Sequence, residues 1–164
     1  PDYAVHIRNP DADGYGEVVF AGPGFFDAYA NPWTMREQLM PDGWFATGDI
    51  GRVDAQGYLY LAGRKSSVIN LAGRKVFPEE IEAVLNRHPA VAESRVYGAA
   101  HAHLGEVVEA EVVLRAAAEP ETLREFCHAR LSADKVPGRF TFVAAIAKTA
   151  VTGKIRRPAA PLVI

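Results

Sequence analysis

Gly63-Arg64-Lys65-Ser66-Ser67-Val68-Ile69-Asn70-Leu71-Ala72-Gly73-Arg74-Lys75-Val76-Phe77-Pro78-Glu79-Glu80-Ile81-Glu82 is the stretch in which the chain changes rhythm. Pro78 opens a helix with Glu79, Glu80 and Glu82 near its positive end, where the macrodipole favours acids. Ile81, Val84, Leu85 and His88 then fall at i, i+3, i+4 and i+7, one apolar stripe ending in a histidine. Leu123, Phe126, Cys127 and Leu131 repeat that stripe behind Pro120. Val68–Leu71 reads as a strand or loop edge, and Val91–Tyr97, Val107–Leu114 and Phe140–Val143 as strands. Upstream of Gly63 the pattern is short strands and turns: Tyr3–Arg8, Gly16–Gly22 and Trp44–Thr47, then Ile50–Val53 and Tyr58–Leu61 flanking the turn Asp54-Ala55-Gln56-Gly57. Asn31 and Pro32 together predict a short helix through Leu39, with a side-chain cap and a proline in the first position. The fold class is therefore α+β. A small β-rich part over residues 1–63 precedes a mixed α/β domain over 64–164, whose small sheet is flanked by helices.

Composition narrows the function classes. With 49% hydrophobic and 23% charged residues in 164, the chain can build a core without staples. A net charge of −2 gives no field that attracts polyanions. A single cysteine, Cys127, rules out a disulfide framework and reads as core. No apolar run approaches the roughly 20 residues that cross a bilayer, and the acidic, aromatic opening has no signal-peptide character. Pro1 in place of an initiator methionine reads as a cut end, so the chain is expected to be a piece of something longer.

Few residues stand out as carriers of chemistry. Asp49, in Thr47-Gly48-Asp49, places a carboxylate behind a glycine turn, suited to two sugar hydroxyls or simply to ending a strand. Arg64 and Lys65 suit a nucleotide contact or a pair of solvated charges at a hinge. Gly73 allows the close approach of a thin ligand or makes an ordinary turn. The segment Lys148–Arg157 holds four cations and no acid, and its Thr152-Gly153-Lys154 core offers a point charge on a flexible glycine. It lacks P-loop spacing, and a basic tail is also a common solvated end. His101 and His103 have no carboxylate or cysteine at ligand spacing and read as loop histidines, so no metal site is expected. His88, before Pro89, reads as a cap-like residue at its helix end.

Taken in order, four blocks resemble the C-terminal portion of the acyl-adenylate-forming (AMP-binding) enzymes, most of all the acyl-CoA synthetases. They are Gly16–Gly24 with Tyr29, Asp42–Ile50, Gly63–Ile69 through Glu82, and Thr152–Ile155. The resemblance implies that residues 1–63 are the β-rich end of a large N-terminal adenylating domain, and 64–164 a mobile C-terminal domain. It implies nucleotide binding by Asp49 and Arg64, with Asp49 on the ribose hydroxyls. Lys154 would be the catalytic lysine bridging the substrate carboxylate and the α-phosphate. Lys65 and Ser66 would form the hinge, and Gly73, Arg74 and Lys75 the loop on the coenzyme A (pantetheine) side. ATP, Mg2+, coenzyme A and a carboxylic acid are the implied partners, in a cytoplasmic ligase without nucleic acid or membrane span.

Three departures qualify the match. Ser66 stands where the family usually has an acid or a lysine. The closing segment runs one residue longer than usual, with Ala147 where proline is common. Nothing resembles the family's Ser/Thr/Gly-rich phosphate loop or its Tyr-Gly-x-Thr-Glu segment, which belong to the large domain together with the acyl pocket. Alone, the chain is therefore expected to be inactive. The alternatives are an adenylating enzyme that loads a carrier-protein thiol, or a non-enzymatic module binding nucleotide or nucleic acid. The near-neutral charge and the absence of aromatics in the basic tail count against the latter.

Overall fold

The computed structural model describes residues 2–148 and 155. The chain divides into two compact units, residues 1–65 and 66–164.

In the first unit, β1 (Ala4–Arg8), β2 (Gly16–Ala21), β5 (Phe45–Val53) and β6 (Leu59–Arg64) form an antiparallel sheet in that order. Aspartates close both flanking turns. Asp11 Oδ1 accepts the N–H groups of Asp13 and Tyr15, and Asp54 Oδ1 those of Gln56 and Tyr58. Val18, Val19 and Ile50 are buried. The strands also press close: a side chain on Gly51 would lie 2.7 Å from the Tyr60 carbonyl oxygen.

The helix expected from Pro32 is not formed there. Ala28–Ala30 (β3) pairs instead with Trp33–Met35 (β4) around an Asn31-Pro32 turn, and the helix α1 covers only Arg36–Leu39. The reason lies at Arg36. Its guanidinium donates to the carbonyls of Phe25 and Phe26 and to the Asp27 carboxylate, and its N–H to the Asp27 carbonyl, which draws the segment back on itself. Phe26 meanwhile stacks on Tyr29 at 4.7 Å and meets the edge of Phe45 at 5.4 Å.

The second unit runs β7 (Ile69–Leu71), β8 (Arg74–Val76), α2 (Pro78–Leu85), β9 (Val91–His101), β10 (Gly105–Leu114), α3 (Pro120–His128) and β11 (Arg139–Phe142). β10 is the organising strand. It pairs antiparallel with β9, parallel with β11, and through Gly105 with Leu71 of β7. Both helices begin with the prolines read from sequence, each in the first turn.

Alternation along β10 separates two faces. Val108, Ala110 and Val112 join Ile81, Leu85, Leu123, Cys127 and Phe140 in one buried core. On the other parity Arg95 pairs with Glu111 at 2.6 Å, and the Tyr97 hydroxyl donates to Glu109 at 3.3 Å. Burial, helped by the charges of Glu109 and Glu111, pushes the Tyr97 phenol above its usual range. No helix among the described residues is long and apolar enough to cross a membrane.

Candidate functional site

In the first unit the geometry starts at Thr47. Its hydroxyl donates to the Val18 carbonyl across the sheet at 2.8 Å and accepts the Asp49 N–H at 3.0 Å. Gly48 between them has φ +73, a conformation that a β-branched or bulky residue rarely adopts. Asp49 thereby faces Arg64, its register partner on β6, and the Arg64 Nε meets Asp49 Oδ1 at 2.8 Å. Arg64 Nη1 also donates to the Thr47 carbonyl at 3.1 Å. The Asp49 side chain stays 27% exposed and that of Arg64 52%, so the ion pair reaches solvent. Lys65, next in the chain, pairs with Glu17 of β2 at 2.9 Å. A held carboxylate of this kind can accept paired hydroxyls while a guanidinium beside it faces an anion.

The second unit presents a different element. β7 and β8 are joined by the two-residue turn Ala72-Gly73, with φ +46 and +86. This is the mirror-image turn that suits a tight hairpin, and the non-glycine at its first position carries the strain. A side chain on Gly73 would meet nothing within 4 Å, so the turn projects into open space. Arg74 pairs with Asp134 at 3.2 Å, and Lys75 is exposed on the same hairpin. Ser66 lies in the short 3-10 turn Lys65–Ser67, and Ser67 donates to Glu79 at 3.0 Å.

The remaining residues singled out from sequence divide simply. Lys154 lies outside the described residues, whereas Lys148, at the start of that segment, pairs with Glu93 at 2.7 Å. His101 Nδ1 accepts the N–H groups of His103 and Leu104, each at 3.3 Å. His88 Nδ1 accepts the Ala90 N–H while its ring meets the edge of Phe126. Among the described residues no three His, Cys, Asp or Glu side chains gather as a metal site.

Sequence reasoning missed four acidic or hydroxylic partners: Thr47, Glu17, Asp134 and Glu106. The last is buried and accepts the Asn70 N–H at 2.6 Å. Thr47 had a signal in the glycine that follows it, but the others depend on strand register and tertiary packing.

Residues 80–154 match the family described as AMP-binding enzyme C-terminal domain. The chain is 40% identical over 144 residues to the 2-succinylbenzoate–CoA ligase of Geobacillus kaustophilus, covering 87% of this chain and 29% of the relative. It is 39% identical over 145 residues to a long-chain-fatty-acid–CoA ligase of Bacillus subtilis, covering 87% of this chain and 26% of the relative. Among solved structures it superposes on the o-succinylbenzoate CoA synthetase of Bacillus subtilis in complex with its acyl-adenylate intermediate. The TM-score is 0.86 at 30% identity, over 98% of this chain and 35% of that one. The same synthetase with ATP and magnesium gives a TM-score of 0.82 at 31% identity, over 94% of this chain and 33% of that one. The chain thus spans about a third or less of the length of these relatives.

Proposed function

We propose, from the match of residues 80–154 to the AMP-binding enzyme C-terminal domain family, that the chain is the closing portion of an ATP-dependent, AMP-forming acyl- or aryl-CoA ligase. The observation that carries this reading is its likeness, over 98% of its length, to a synthetase solved with an acyl-adenylate. Two half-reactions follow. A carboxylate oxygen attacks the α-phosphorus of ATP and pyrophosphate leaves; a thiol then attacks the acyl carbonyl, AMP leaves and a thioester remains.

Asp49 accepts the ribose hydroxyls and Arg64 holds that carboxylate, an assignment supported by their 2.8 Å contact and partial exposure. Lys154 places a compact ammonium between two anions that must approach each other, offsetting their repulsion as charge develops. Lys65 and Ser66 form the pivot between the half-reactions. Gly73, with Arg74 and Lys75, lines the path of the pantetheine arm, supported by the open space around that turn. Magnesium comes with the ATP, and the phosphate loop and acyl pocket belong to the large N-terminal domain. Without that domain the chain forms no adenylate. A cytoplasmic setting accompanies substrates such as ATP and coenzyme A.

The first test is the mass of the native protein, read with an antibody against this chain. A band several times heavier than 17.8 kDa supports the reading, and a band at that size overturns it. In the complete ligase, Asp49→Ala should weaken ATP binding by about tenfold or more, the scale of a lost hydrogen bond to a charged group. Unchanged ATP affinity removes that assignment. Lys154→Ala should lower ATP–pyrophosphate exchange far more than thiol transfer from supplied acyl-adenylate, and equal losses in both steps count against its role.

A further inference from the structure

We infer that Glu106 is a positioning residue for the Ala72-Gly73 turn, acting on the thiol-transfer step through the Asn70 backbone. The functional half of this inference rests on the reading of that turn given above; the structural half does not.

The backbone of Asn70 carries an orphan donor. Leu71 and Arg74 are the closing pair of a two-residue hairpin, so the alternation of an antiparallel ladder makes the next pair, Asn70 and Lys75, a position without mutual hydrogen bonds. The Asn70 N–H consequently points away from β8 and needs an acceptor elsewhere. The Glu106 carboxylate accepts it at 2.6 Å, from a residue only 6% exposed.

Glu106 reaches Asn70 because of a second residue. It shares parity with Val108, Ala110 and Val112, so its side chain emerges on the core side of β10, where a carboxylate is costly without partners. Space for it is made at Gly98 on β9. A Cβ there would lie 2.5 Å from Glu106 Oε1 and 2.9 Å from its Cδ, with Ile69 Cγ2 at 3.2 Å. Gly98 has no positive φ to explain it, so its lack of a side chain serves the carboxylate. The chain around Glu106 is itself tied to the same turn. Leu104 accepts through its carbonyl from both Ala72 N–H, at 3.3 Å, and Glu106 N–H, at 3.0 Å, and Gly105 registers with Leu71. Gly98, Glu106 and Asn70 thus form one device that fixes a strained, exposed turn onto the centre of the sheet.

The test compares Glu106→Ala with Glu106→Gln, which keeps an acceptor oxygen at nearly the same volume. Amide hydrogen exchange on the chain should show Asn70 exchanging about tenfold or more faster in Glu106→Ala, with Glu106→Gln close to the parent. In the complete ligase, Glu106→Ala should reduce thiol transfer from supplied acyl-adenylate by about tenfold while pyrophosphate exchange stays within about twofold. Glu106→Gln should restore transfer. If Glu106→Ala fails to fold, Gly98→Ala decides, because it leaves Glu106 in place but displaces its carboxylate, and the same selective loss is expected. Unaltered Asn70 exchange, unaltered transfer, or equal loss in both half-reactions would each overturn the inference. A parent enzyme that makes no thioester at all sinks the functional reading instead, and the Asn70 exchange result still decides the structural anchor.

Discussion

Cys127 lies on α3, fully buried in the same core cluster as Leu123. Burial pushes its thiol up to about 11 from an ordinary 9.0, with the Arg130 charge opposing only in part. The folded chain therefore holds this proton more tightly than the unfolded chain does. That contribution to stability is complete below about pH 9 and is lost as pH rises toward about 11. Urea unfolding of the parent should weaken across that window, and Cys127→Ala, less stable overall, should show a flatter slope there. Parallel slopes would mean that other groups set the alkaline limit. The reading of Cys127 as core needed only its place on an apolar stripe. Asp49 was equally legible as a residue type, but its geometry was not. The Thr47 hydroxyl that orients it bridges to Val18, twenty-nine positions earlier, through a register that shifts between Glu17 and Val19. Spacing in one strand carries no information about such a shift.

Helix α2 shows the same limit at the scale of an element. Its start, its proline and its apolar stripe were all readable, because the 3.6-residue period and the capping chemistry point to the same answer. The acids were read as one group at the positive end, and they divide. Glu79 and Glu80 lie in the first turn, where Glu80 pairs with Lys135 at 2.7 Å. Glu82 is 7% exposed and accepts the Val96 N–H of β9 at 2.8 Å, pinning the helix to the sheet. Glu82→Ala should cost about 1–3 kcal/mol, because it leaves a buried N–H without its acceptor, and Glu82→Gln should cost much less. The midpoint of urea unfolding reads both, and equal costs would reduce Glu82 to a packing volume. The segment 31–39 failed for the opposite reason. Asn-Pro opens helices and turns alike, and the choice was made by Arg36 binding the carbonyls of Phe25 and Phe26, a contact that no local pattern announces.

At the scale of the molecule, the two units differ in what they bury. In residues 1–65 the buried hydrophobic side chains among the described residues are Val18, Val19 and Ile50. In residues 66–164 a continuous core runs from Ile69 through Ile81, Leu85, Val96, Val112 and Leu123 to Phe140. A small unit buries a smaller fraction of its surface, so the first should be the weaker of the two. The chain supplies a separate probe for each. Both tryptophans, Trp33 and Trp44, lie in the first unit, and the one cysteine lies in the second. Tryptophan fluorescence in urea should therefore change before Cys127 becomes open to a thiol reagent in a pulse-labelling series. Separate midpoints mean that the two units unfold independently and that a single unfolding free energy does not describe the chain. Coincident midpoints would mean instead that the 65/66 division is a feature of shape without energetic independence. The variants Cys127→Ala and Glu82→Ala would then shift the tryptophan transition as much as the labelling one, whereas independent units leave the tryptophan transition where it was.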